Sequence, residues 1–229
     1  MRRRTEGVGK PTPSLFLETS FGTMITDVTA VLLAGGKSRR MGQDKRFLSI
    51  GGETLYERTL AVLRALFKTV VVVIAQDSPP LQAEVPILRD LIPECGSLGG
   101  LYTGLKRAVT PFAFTVACDM PFLDPRTIGY FTQIKDDADV VMAKLQNGLQ
   151  PMHALYHQRC LPMIETLIQT RQLKIQQLAA HPSLRVRLVT PDELDTIDPT
   201  GRSFCNVNTP AELEAARSFH AQASKPPSS

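Results

Sequence analysis

The sequence predicts a single-domain, three-layer α/β/α sandwich built on a mostly parallel sheet. Three observations carry that expectation. Runs such as Thr69–Ala75 and Phe112–Ala117 are apolar almost throughout, the pattern of strands covered on both faces. Segments with helical apolar spacing alternate with those runs. The connections are short, and no internal repeat or linker divides the chain.

Taken in order, Val28–Leu33 reads as the first strand, ending in Ala34-Gly35-Gly36. Leu55–Leu66 has the spacing of an amphipathic helix, with Leu55, Leu60, Val62, Leu63 and Leu66 apolar. Thr69–Ala75 is the second strand, Val85–Leu88 a short third, and Leu98–Ala108 a helix after a glycine-rich turn. Phe112–Ala117 is the fourth strand, and Asp124-Pro125 opens a helix with a cap and a first-turn proline. Asp139–Ala143 and Met152–Tyr156 are strands on either side of a polar loop containing Asn147-Gly148. Cys160–Thr170 and Leu173–Ala179 look helical, and Val186–Val189 is a strand. Asn208-Thr209-Pro210-Ala211-Glu212 opens the final helix, with the threonine hydroxyl available to hold a backbone N–H.

With 229 residues, 43% of them apolar and 21% charged, the chain can bury a substantial core of ordinary globular composition. Its net charge of +4 suits a protein that handles anionic small molecules and does not require a nucleic-acid partner. No apolar run approaches the ~20 residues that cross a bilayer. Cys95, Cys118, Cys160 and Cys205 lack the paired spacing of a zinc site or disulfide framework, which fits a reducing, cytoplasmic setting. His153, His157, His181 and His220 show no metal spacing, and Cys118 reads as a small core residue. Residues 1–26 are expected to be a disordered extension, 27–220 the folded domain, and 221–229 a disordered tail.

The most informative stretch follows the first strand. Lys37, Arg39, Arg40 and Lys45 place four basic residues within nine positions, directly after two glycines. Glycine lets the backbone approach a ligand, and exposed N–H groups with lysine and arginine suit a polyphosphate. A nucleoside triphosphate is the expected ligand. Gly36-Lys37-Ser38 has no earlier glycine at Walker spacing, and the three-glycine dinucleotide fingerprint is absent. Ligands of such sheets bind at the carboxyl ends of strands. Gly35–Lys45, Gln76-Asp77, Arg89-Asp90 and Cys118-Asp119 should therefore converge on one crevice. Asp119 after a buried strand suits Mg²⁺, although a turn aspartate that caps local backbone would look the same. Asp90 reads either as a ligand-facing carboxylate or as an exposed loop residue.

The string L-A-G-G-x-S-x-R-M-G-x-D-K resembles the signature loop of nucleotidyltransferases with a Rossmann-like fold. Within that superfamily it is most similar to the molybdenum cofactor guanylyltransferases. The resemblance runs from about Thr29 to Ala216, with motifs in the family order. It includes C-D-x-P-F at Cys118–Phe122 and a G-P-L-x-G-L block at Gly96–Leu101, where Ser97 replaces the proline. Gln150–Tyr156 resembles Q-P-L-x-A-L-Y, and Phe204–Pro210 resembles F-x-N-x-N-T-P.

The resemblance implies GMP transfer from GTP to molybdenum-molybdopterin by in-line attack, with release of pyrophosphate. It implies nucleotide contacts from Leu33, Ala34, Gly35, Gly36, Lys45, Asp90, Gly96 and Asp119. Lys45 and Arg39 would hold phosphates, and Asp119 would bind Mg²⁺ as the metal cofactor. Gln150, Asn206 and Asn208 fall on the pterin-substrate side, although Asn208 or Thr209 could equally cap the last helix. Arg40 is either a helper or a solvated neighbour, and Gly104 serves either ligand contact or helix packing. A molybdenum-insertion protein and apo-molybdoenzymes are the implied partners of a monomeric enzyme with no nucleic-acid or membrane role. The rival readings are a cytidylyltransferase for the same cofactor, another small-molecule nucleotidyltransferase, and a non-catalytic GTP-binding cofactor carrier. Gly36 favours guanine over cytosine, because the cytidylyltransferase loop resembles L-A-A-G.

Overall fold

Successive residues of the first strand supply two different cores. A computed structural model describes residues 23–35 and 44–223 of the chain. In β1 (Ile25–Leu33), Val28, Ala30 and Leu32 join one buried cluster while Val31 and Leu33 join another. The period-two alternation of a strand thus sets the layering. The first cluster also takes Leu60 and Leu63 from α1 (Leu55–Leu66) and Ile128 and Phe131 from α3 (Pro125–Gln133). The second takes Leu98, Leu101 and Leu105 from α2 (Gly96–Arg107) and Ile164, Leu167 and Ile168 from α4 (Leu161–Gln169). Helices therefore cover both faces, as the sequence predicts.

The remaining strands of the main sheet are β4 (Phe67–Ile74), β5 (Ile87–Arg89), β6 (Phe112–Ala117), β7 (Val140–Leu145), β8 (Gly148–His157) and β9 (Val186–Val189). They form a seven-stranded sheet in the order β5-β4-β1-β6-β8-β7-β9. β8 alone runs antiparallel to its neighbours β6 and β7. The polar loop expected near Asn147 is the tight turn of the β7–β8 hairpin, with Leu145 facing Gly148. β8 accordingly starts before the expected Met152. Leu33 pairs with Val73 on one side and Ala117 on the other, so β1, β4 and β6 end level. That common edge is where the ligand loops begin.

Several bounds move for local reasons. β1 starts at Ile25, inside the expected extension, because Ile25 pairs with Phe67 ahead of a register shift. The segment expected as a helix at Leu173–Ala179 forms a 3-10 helix over Ile175–Ala180, close before Pro182. A small hairpin of β2 (Ser49–Ile50) and β3 (Glu53–Thr54) has strands too short to show periodicity. Thr54 then caps α1 in a capping box with Glu57. After α5 (Pro191–Asp195), the last helix α6 (Pro210–Ala223) packs Leu213 and Ala216 against Leu48, Ile50 and Leu55, and it continues past the expected boundary at 221. Most of the expected extension (residues 1–22) and the rest of the expected tail (224–229) lie outside the described residues.

Gly104 shows why one glycine of α2 matters to packing. A Cβ built there would lie 2.3 Å from Val31 Cγ1, so the helix presses directly on the central strand. The helix-packing reading of this residue is the one the structure supports. Gly104→Ala should gain up to ~1 kcal/mol of helix propensity and lose ~1–3 kcal/mol to overpacking against a stiff β-branched side chain. Urea unfolding should therefore show a net loss, recovered in part by adding Val31→Ala. A stabilised single variant would mean that α2 slides freely over the sheet.

His153 of β8 is fully buried among Phe114, Phe131 and Phe204, with Nδ1 3.1 Å from the Ser203 carbonyl. Burial pushes its pKa down to about 4, partly opposed by the hydrogen bond with Ser203. An unfolded chain takes up a proton near pH 6.5 that the folded chain refuses until about pH 4. This contribution to stability is therefore complete above pH 6.5 and is lost as pH falls towards 4. Urea midpoints measured from pH 7 to pH 4.5 should fall, and His153→Leu should flatten that slope. An unchanged slope in the variant would assign the acid sensitivity to other groups.

Candidate active site

The level ends of β1 and β6 bring their loops together. Backbone hydrogen bonds lock this edge: Ala34 N–H donates to Val73 O (2.8 Å), Cys118 N–H to Leu33 O (3.1 Å), and Asp90 N–H to Ile74 O (2.9 Å). A Cβ on Gly35 would sit 2.8 Å from the backbone nitrogen of Ala75, so only glycine lets the first loop leave the sheet this close to β4. Of the expected loop residues, Gly36, Arg39 and Arg40 lie outside the described residues.

Lys45 begins a single turn of 3-10 helix, Lys45–Phe47, capped by Asp44. Its ammonium donates to Asn208 Oδ1 at 2.6 Å and lies 3.4 Å from Asp119 Oδ2. Three residues taken from separate motifs thus meet at one point. A second tie holds the segments together, since Val207 N–H donates to Asp119 O at 2.8 Å. The capping alternative is resolved residue by residue. Thr209 Oγ1 accepts from Glu212 N–H (3.2 Å), while the Asn208 side chain turns to Lys45. Glu212 Oε2 in turn accepts the backbone N–H of Asn208 (2.6 Å) and Thr209 (3.0 Å).

Asp119 has the character of an ion ligand. Its Oδ1 is buried and accepts no hydrogen bond from the described residues. Burial raises its pKa, against the lowering effect of Lys45. A cation at the free oxygen would favour the ionised form. Among the described residues no cluster of three His, Cys, Asp or Glu side chains could hold a metal alone. One carboxylate with a spare oxygen fits Mg²⁺, which binds through one or two carboxylates and completes its shell with phosphate oxygens and water.

Asp90 lies on the other flank of β1. Its Oδ1 is also buried without a partner, and burial pushes its pKa up to about 6. Thr103 Oγ1 accepts Leu91 N–H (2.9 Å), and Gln76 donates to Asp90 O (2.8 Å), so the backbone around this carboxylate is fixed. Gly100 of α2 leaves space beside it, since a Cβ there would lie 3.7 Å from Asp90 Oδ1 and 3.2 Å from Leu33. Gly96 starts α2, whose amino end has no side-chain cap.

Two expected residues stay apart from this cluster. Gln150 donates to Asn147 Oδ1 (3.0 Å) within its own hairpin, at the start of β8. The pairing of Val116 with His153 sets that start on the same sheet edge as Asp119. Among the described residues, Asn206 Nδ2 donates to Phe204 O, at 3.5 Å. Sequence reasoning missed Asp44, Arg46, Gly100 and Thr103 as shapers of the site. The Asp-x-Arg spacing was the available signal for the first two, but spacing does not show burial.

The mostly parallel sheet, the glycine exit from β1 and a lysine–aspartate–asparagine cluster at the carboxyl edge suit a nucleotidyltransferase, the class to which the family match assigns the chain. Residues 30–185 match the family model of the MobA-like NTP transferase domain, and the chain belongs to that family. It is 36% identical over 191 residues to the molybdenum cofactor guanylyltransferase of Desulfosudis oleivorans, covering 82% of this chain and 94% of that protein. It is 34% identical over 189 residues to a probable molybdenum cofactor guanylyltransferase of Pelotomaculum thermopropionicum, covering 82% and 91%. The fold is similar to molybdopterin-guanine dinucleotide biosynthesis protein A from Archaeoglobus fulgidus, with a TM-score of 0.74, 24% identity, and coverage of 85% and 99%.

A hydrogen bond to a charged group contributes ~1.5–3 kcal/mol. Asn208→Ala should lower stability by no more than that bond and, with Lys45 no longer aimed, slow pyrophosphate release by about 10- to 100-fold. Turnover at the wild-type rate would show that Lys45 keeps its aim without Asn208.

Proposed function

We propose that the chain transfers GMP from GTP to molybdenum-bearing molybdopterin, forming the guanine dinucleotide and pyrophosphate. The observation that carries this reading is the Lys45–Asp119–Asn208 cluster, found in a chain whose curated relatives are named guanylyltransferases along nearly their whole length.

An oxygen of the molybdopterin phosphate attacks the α-phosphorus of GTP. The new P–O bond forms as the bond to the β-phosphate bridging oxygen breaks, and the electron pair leaves with pyrophosphate. No covalent enzyme intermediate is needed, so positioning and charge carry the rate. Lys45 holds a point charge against the phosphates, and Asn208 keeps its ammonium aimed. Arg39 adds a bidentate grip. Asp119 would hold Mg²⁺, which supplies charge neutralisation along the triphosphate. Asp90 lies where the nucleoside would rest, its acceptor oxygen unsatisfied. In this reading Gln150 and Asn206 would serve the pterin-substrate side.

The test is single-turnover pyrophosphate release from each of the four nucleoside triphosphates, with Mg²⁺ and molybdenum-loaded molybdopterin. Release should be selective for GTP and fall on the order of 10³-fold in a folded Asp119→Ala variant. A preference for CTP would assign the sister cytidylyltransferase activity. Tight GTP binding without turnover would identify a cofactor carrier.

A further inference from the structure

Arg46 follows the phosphate-side lysine, and its side chain is buried in the domain, only 5% exposed. An arginine buried this deeply is costly unless it is paired. Asp44 provides that pairing at close range. Its Oδ1 accepts the backbone N–H of Arg46 (3.1 Å), both carboxylate oxygens accept from Nε (3.0 Å each), and Oδ2 accepts from Nη2 (2.5 Å). The fork raises the Arg46 pKa through its hydrogen bonds with Asp44. Burial pushes the Asp44 carboxyl up, and the bonds to Arg46 more than offset this to leave it lowered.

The turn that carries these residues is three residues long. A 3-10 helix rotates about 120° per residue, so consecutive side chains leave in three directions. Lys45 goes to Asp119 and Asn208, Arg46 goes inward, and Phe47 goes to solvent at 56% exposure. Fixing the rotation of the turn at any one of the three therefore fixes the direction in which the other two leave the backbone. Arg46 is the one fixed by four hydrogen bonds to a single carboxylate. Its guanidinium also lies close enough to Cys118 and Tyr56 for each to feel its charge. Arg46 Nη1 and the Tyr56 hydroxyl are both buried without a protein partner. Apolar packing alone would have been cheaper than this arrangement, which points to a role beyond stability.

We propose that the buried Asp44–Arg46 fork sets the rotation of the turn that aims Lys45 at Asp119 and Asn208, making Arg46 a positioning residue for transfer. The proposal rests on the reading of Lys45 as the phosphate-contacting lysine.

The test compares wild type with Arg46→Met, Lys45→Met and the double variant. In Arg46→Met, kcat should fall about 10- to 100-fold, while KM for the nucleotide stays within about threefold. Added to Lys45→Met, the same change should cost no further activity, because its effect runs through Lys45. A readout independent of turnover is acylation of lysines followed by mass spectrometry. Lys45 should label several-fold faster in Arg46→Met, with exposed Lys68 unchanged. If Arg46→Met does not fold, Asp44→Asn breaks the charge pair at constant volume and is read in the same way.

A kcat within about twofold of wild type, or an equal loss in the Lys45→Met background, would overturn the proposal. Unchanged labelling of Lys45 would overturn it too. If wild type turns over no nucleotide, the guanylyltransferase reading fails, and the labelling result still decides the role of Arg46.

Discussion

The ammonium of Lys45 is shared by residues 74 and 163 positions further along the chain. That single convergence depends on most of the fold. Asp119 is where it is because β6 ends level with β1. Asn208 is there because α6 packs on Leu48, Ile50 and Leu55, and because Glu212 holds the backbone ahead of the helix. Lys45 itself sits between a strand end and a hairpin that α6 covers. The scaffold reads as a means of holding one cation between two oxygens that are distant in sequence.

Several polar atoms at this edge are buried without a partner among the described residues: Asp119 Oδ1, Asp90 Oδ1 and Arg46 Nη1. Such atoms cost stability wherever they occur. Asp119 and Asp90 lie on opposite flanks of β1, one beside Lys45 and the other beside Gly100. A triphosphate with its cation and nucleoside carries complementary groups for both. Under the proposed function, nucleotide and cation would offset the desolvation of these two carboxylates, the electrostatic form of preorganisation.

Much of this was readable in the sequence because apolar runs and caps are local signals. Leu55–Leu66, Phe112–Ala117 and Val186–Val189 fold with the bounds their spacing implies. The reversed direction of β8 was not legible, since period-two patterning is the same in either direction. The β2–β3 hairpin offers two residues per strand, too few for a period. Motif reading named Lys45, Asp119 and Asn208 but not that they touch, because contact at such separations is a property of the packed chain. It also gave Asn206 and Asn208 similar weight, and only the geometry separates the one bonded to Lys45 from the one turned to Phe204. Arg46 was invisible for a related reason, since a charged residue in a basic loop reads as solvated until its burial is known.

The tie between Lys45 and Asn208 also has a meaning in time. A ribosome adds roughly 5–20 residues each second, so the 163 positions between them take about 8–30 s to synthesise. At the start of that interval only β1 and the first loop have been made, β4 and β6 follow within it, and the oxygen that aims the lysine comes last. Nascent chains therefore cannot complete the Lys45 cluster until residue 208 has been added, and a chain truncated before Asn208 lacks it altogether.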